Sequence, residues 1–175
     1  METKASIHFH SKLFRPEATE RFGSEILLTL PKDASAKLPS KGMTMVKGSM
    51  NKSPFQAALE PDGQGSHWFK VSEKLRQATG AEVGDMVELA IEPTKDWPEP
   101  KVPANLKAAL ASNAKAEATW IDITPMARWD WIRWVGAARQ LETRQRRVEV
   151  AISKLKSGMR RPCCFDRTEC TLTDA

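Results

Sequence analysis

Met126–Met159 reads MARWDWIRWVGAARQLETRQRRVEVAISKLKSGM, and its two apolar periods decide how the carboxy-terminal part of the chain is built. Trp131, Trp134, Val135, Ala138 and Leu141 recur at helical spacing and share one face. Val148, Ala151, Ile152, Leu155 and Met159 repeat that period after a join near Gln140–Glu142. Thr124–Pro125 supplies a capping hydroxyl and a first-turn proline, and Gly158 supplies a stop. The spacing predicts two helices forming a helical hairpin or tail.

The same stretch concentrates positive charge. Ten Arg and Lys lie between Arg128 and Arg161, against only Asp130, Glu142 and Glu149, a local charge of +7 in a chain of net +5. The remainder is therefore slightly acidic, and the basicity is local. Arg139, Arg144, Arg146 and Arg147 form a candidate anion or partner site, because guanidinium groups pair with phosphate and carboxylate in fixed geometry. Trp131, with Trp129, would add stacking. The competing reading is a solvated helix face on which some arginines pin the helices in place. An acidic protein or other anionic partner fits this pattern better than nucleic acid, since no base-reading module is present.

Upstream of the helices, Glu92–Pro103 holds four prolines, which confine themselves and their predecessors to extended backbone. Residues 93–103 are expected to be a semi-rigid linker, with Trp97 packing it onto one half of the chain. Pro103 opens a helix over Asn105–Leu110, and Ala114–Thr119 continues as a second short one.

The first 92 residues read differently. Ile7, Phe9 and Leu13 suggest a strand with a slip in its middle, and Glu25–Leu30 a strand buried on both faces. Further short strands follow near Met43–Lys47, Pro54–Leu59, His67–Val71 and Met86–Ile91. Lys32–Lys41 reads as a loop, and Gly48–Ser53 and Pro61–Gly65 as turns. Ser72 caps one brief helix, Glu73–Ala78, which Gly80 ends. Short, regularly spaced strands with one helix point to a small closed β-barrel, whose closure removes exposed edges. The predicted class is α+β: a barrel domain over 1–92, the linker, a helical region over 104–159, and a flexible Cys-containing tail over 160–175.

Other function classes are narrowed by what the chain lacks. METKASIHFHSK has no apolar signal region and no window reaches bilayer length, so a cytoplasmic protein without a membrane span is expected. The three cysteines crowd into the last residues, which rules out a disulfide framework. Cys163, Cys164 and Cys170 are weak candidates for a zinc or thiol switch, with His8 and His10 pointing to one side of a strand, but no CxxC pair is present. His67 and Trp68, just after the glycine-rich turn, are placed at the barrel rim, and the alternative function is a small-ligand-binding protein or enzyme that uses the barrel mouth there. No nucleophile, carboxylate or base stands at catalytic spacing, so no catalytic residue and no cofactor is assigned. Oligomeric state is open.

The run Thr124–Gly158 resembles the helical tail of the YdeI/OmpD-associated family, through Trp134–Val135, Ala137–Ala138, Glu142–Thr143–Arg144 and Arg146–Arg147. Leu30–Pro31, Val46–Lys47–Gly48, Phe55, Leu59, Pro61, Gly63, Leu75–Arg76 and Gly84–Val87 resemble the small β-barrel domain of unknown function found ahead of that tail. The likeness runs from about Phe9 to Gly158. It implies a cytoplasmic bacterial protein in bacteriocin protection, antimicrobial-peptide resistance or stress tolerance, and brings no catalytic residues with it.

Overall fold

In strand β1, Ile7–Phe14, Ile7, Phe9 and Leu13 turn inward and are buried, while His8, His10 and Lys12 face out. The strand does not slip. Ser11 takes the one inward slot that breaks the apolar pattern, and its hydroxyl donates to Thr29 O at 2.5 Å. The alternation that a half-buried strand requires is therefore kept, with a polar group satisfied at the exception.

The computed structural model describes residues 6–16, 25–138 and 140–162. Five more strands complete the first unit: β2 Ile26–Thr29, β3 Thr44–Met50, β4 Ser53–Pro61, β5 His67–Val71 and β6 Met86–Pro93. They close into an antiparallel barrel in the order β1-β2-β5-β4-β3-β6, as the strand spacing predicts. Leu13, Leu28, Val46, Leu59, Phe69 and Leu89 belong to the apolar cluster that fills it. Leu27 and Trp68 are buried on the other face of β2 and β5, with Phe14 beside them, so β2 is covered on both sides.

Two local expectations fail for identifiable reasons. Gly48 is not the start of a turn but a strand residue paired with both Phe55 and Ile91. A Cβ there would lie 1.9 Å from Ala90 O, so only glycine lets β3 and β6 approach this closely. The reversal comes three residues later, at Asn51 and Lys52, whose φ values of 45° and 70° give a two-residue hairpin without glycine. Lys32–Lys41 is not wholly loop either. Helix α1, Lys32–Ala36, follows Pro31, whose ring fixes φ at −58° and leads the chain into the first turn. It turns Ala34 and Ser35 inward, and Leu38 after it joins the barrel core. Helix α2, Glu73–Thr79, keeps the expected ends: Ser72 Oγ accepts from Leu75 N at 3.1 Å, and Gly80 sits at φ 69°.

The second unit begins at Trp97. It contains α3 (Ala104–Ala111), α4 (Ala114–Asp122), α5 (Pro125–Gly136) and α6 (Leu141–Lys156), with α6 packed on the other three. Asn113 caps α4 by accepting from Ala116 N, and Thr124 caps α5 by accepting from Ala127 N. Leu106, Leu110, Trp120, Trp131, Val135, Val148, Ala151 and Leu155 make its core. Because α5 stops at Gly136, Leu141 opens α6 instead of extending the α5 stripe, and it is 62% exposed. Among the described residues, no helix is long and apolar enough to cross a membrane.

Candidate functional site

The buried stripe of α6 runs back from Leu155 through Ala151 and Val148, and continues at its amino-terminal end into Arg147 and Arg144, both half-buried. Helical spacing puts these two on the packed side and Arg146 on the solvent side. Arg147 donates to Trp134 O at 2.7 Å, and its guanidinium carbon stands 5.3 Å from the centre of the Trp134 ring. The cation thus lies over the negative face of an indole while satisfying a carbonyl near the end of α5. Trp134 in turn meets Trp131 edge to face at 6.0 Å. Trp131 is fully buried, and its indole N–H donates to Arg160 O at 3.1 Å. It serves the core of this unit rather than stacking on a partner. Arg139 lies outside the described residues.

Several other arginines act within the fold. Arg128 gathers the end of α4: Nε donates to Trp120 O at 2.9 Å, and Nη2 to Ile121 O at 3.0 Å and Ile123 O at 2.8 Å. These are carbonyls that a helix terminus leaves without intrahelical partners. The same guanidinium pairs with Glu99, and Trp129 donates to Pro98 O at 2.9 Å while meeting Trp97 edge to face at 6.2 Å. Trp97 therefore packs the proline-rich strap onto the helical unit. Arg160 pairs with Asp122 at 2.6 Å, and Arg161 reaches Asp130 at 3.9 Å.

Asp130 and Arg133, 2% and 5% exposed, are buried polar residues that the periodicity did not single out. Both lie on α5, and Asp130 is reached by Arg161, which follows α6; neither the packing of α5 nor that contact leaves a local signal. The cations left at the surface of α6 are Arg146 and Lys156, exposed, and the half-exposed Lys154, and the acids Glu142 and Glu149 are exposed on the same helix. Lys101, Lys107 and Lys115 of the same unit are exposed too.

His67 does not sit on an open rim; it is 2% exposed, under α1. Nε2 lies 2.9 Å from Gly42 O and Nδ1 2.9 Å from Ser35 Oγ. A carbonyl only accepts, so Nε2 carries the proton and Nδ1 accepts from the serine hydroxyl. The ring joins α1 to the segment leading into β3. Burial lowers its pKa below the ordinary histidine value, against smaller raising effects of the Gly42 hydrogen bond, the Asp62 charge and Ser40. Trp68 is fully buried on the opposite face of β5.

His8 and His10 are exposed on the outer side of β1. Cys163, Cys164 and Cys170 lie outside the described residues, and no three His, Cys, Asp or Glu side chains among the described residues are gathered closely enough to hold a metal ion.

Residues 9–91 match a domain of unknown function, DUF1905, and residues 99–158 match the family described as OmdA, bacteriocin-protection, YdeI or OmpD-associated. Both assignments agree with the resemblance carried by the sequence motifs. No curated protein matches the chain.

Proposed function

We propose that this protein, which carries a YdeI/OmpD-associated region behind a DUF1905 barrel, is a non-enzymatic cytoplasmic binding protein of bacteriocin protection or a related stress response. Its helical unit docks an acidic or otherwise anionic partner. The supporting observation is charge segregation. Residues 97–165 hold thirteen Lys and Arg against six Asp and Glu, whereas the rest of the chain holds fourteen against sixteen.

The cations of this unit fall into two groups. Arg128, Arg147 and Arg160 hold its own elements together, whereas Arg146, Lys154 and Lys156 present positive charge along α6, beside the exposed Glu142 and Glu149. Arg144, half-buried beside Arg147 on the inner stripe, stands at the edge of that surface. Exposed cations on one helix steer an oppositely charged partner and weaken with salt, since screening at physiological ionic strength acts over about 8 Å.

Partner capture from cell extract tests this reading, using the full chain and its Arg146→Glu/Lys156→Glu variant, with and without nuclease. Nuclease-resistant capture that falls in the variant and with rising salt is expected. Capture indifferent to both changes would overturn the reading, and capture abolished by nuclease would make nucleic acid the partner.

A further inference from the structure

The segment Lys32–Gly42 joins the end of β2 to the start of β3 and packs over one end of the barrel. His67 stands at that same end: it opens β5 opposite Pro61, the last residue of β4, and shares the inward face of its strand with Phe69 and Val71. Ala34 of α1 and Leu38 after it are buried in the apolar cluster to which Phe69 and Val71 belong. Between these two contacts the segment is tied to a single ring, by Ser35 Oγ at Nδ1 and Gly42 O at Nε2, each at 2.9 Å.

Little else holds the segment down. Helix α1 has five residues and no side chain capping its amino end, and a helix that short has no stability of its own. The ring is the polar tether. Its two bonds fit only the neutral form, with the proton on Nε2 and the serine hydroxyl donating to Nδ1. A second proton would turn Nδ1 into a donor, force the hydroxyl to reverse, and hold a charge away from water beneath α1.

We propose that Lys32–Gly42 is a lid latched by neutral His67, which opens as a local unit when the ring takes up a proton. Opening withdraws Ala34 and Leu38 from the core, gives the charged ring to water, and uncovers the apolar end of the barrel in mildly acidic surroundings. The strand ladders do not pass through the lid and stay paired. Asp62, in the turn between β4 and β5, favours the charged ring in the closed state, but its Oδ1 already accepts from Gln64 N and Ser66 N, and burial outweighs it. The other charges nearby are turned away. Lys32, Asp33 and Lys37 of α1 and Lys41 before Gly42 are exposed, Glu60 of β4 stands opposite Trp68 on the other face, and β2 carries no charged side chain.

Hydrogen exchange of the full chain at a series of pH values, corrected for the intrinsic pH dependence of amide exchange, tests the lid without any substitution. The amides of Ser35, Lys37 and Leu38, bonded to Pro31 O, Ala34 O and Ser35 O, report on it, and those of β3 and β6 report on the barrel. Below about pH 6.5 the protection of the lid amides should fall by up to about tenfold per pH unit, the slope of one proton, while the strand amides remain far better protected at every pH. His67→Gln should abolish the slope. Ser35→Ala, which keeps the ring and removes its hydroxyl partner, should lower lid protection several-fold at neutral pH. Lid protection that is constant with pH in the parent chain overturns the switch, as does a slope that persists in folded His67→Gln. A lid that exchanges at the same rate as the strands overturns its opening as a separate unit, and unchanged protection in Ser35→Ala overturns the latch.

Discussion

Replacing Gly48 with alanine is the smallest change that tests how the barrel closes. The added methyl would fall 1.9 Å from Ala90 O and 2.9 Å from both Ala90 C and Ile91 Cα. All three atoms belong to the β6 backbone, so no rotamer relieves the clash; β3 and β6 must separate by an ångström or so, on the order of the overlap. Val46–Met50 is paired to Leu89–Pro93 across that seam, and at Gly48 itself the ladder would open first. Losing about two ladder hydrogen bonds at roughly 1 kcal/mol each, plus overpacking strain of about 1–3 kcal/mol, gives a cost of about 3–5 kcal/mol. The restricted unfolded chain returns about 0.4–1 kcal/mol, leaving a net loss near 3 kcal/mol.

Gly136 makes the internal control. It lies at the end of α5, and a Cβ there meets nothing within 4 Å, so Gly136→Ala should be neutral or slightly stabilising. Urea unfolding followed by hydrogen exchange of the β6 amides reads both variants, and it reports on the barrel separately from the helices. Gly48→Ala stability within about 0.5 kcal/mol of the parent would refute the close-approach argument.

Two further predictions concern groups whose role lies inside the fold. His67 has a lowered folded pKa, so the unfolded chain takes up a proton first as pH falls. Its contribution is therefore fully present above about pH 6.5 and is lost below it, by up to about 1.4 kcal/mol per pH unit until the folded ring also titrates. Melting from pH 8 to 5 should show that slope in the parent and a shallower one in His67→Gln; equal slopes would contradict it. Arg128→Met keeps most of the stem but removes the donors to three carbonyls at the end of α4, for an expected loss of about 2–4 kcal/mol. Denaturant unfolding of the helical unit checks this, and a loss below about 1 kcal/mol would show that water replaces the arginine without penalty.

The fold was legible where each residue's own neighbours decide its state. Alternation marked the strands, Ser72 and Thr124 marked helix starts, and Gly80 marked an end. Reading went astray where a distant strand decides. Gly48 looks like a turn residue until β6 is seen against it, and Ser11 looks like a slip until Thr29 accepts its proton. The same limit applies to the cations. A count of arginines shows that charge is concentrated, but not that Arg128 binds three backbone carbonyls or that Arg147 lies over Trp134. His67 follows a glycine-rich turn and so suggests a rim, yet α1, read as a loop, covers it. The family motifs stood in the sequence itself, because they are strings of residue types and need no third dimension.

Binding of the full chain to poly-L-glutamate across a salt series, with two charge-matched variants, tests the docking account most directly. Arg146→Glu/Lys156→Glu changes exposed cations of α6, and Lys37→Glu/Lys41→Glu changes exposed cations of the barrel unit by the same net charge. The account predicts that the α6 variant loses most of its affinity and much of its salt dependence, while the barrel variant binds like the parent. Equal losses in the two would mean that net charge alone governs binding, and would contradict a docking surface on the helical unit.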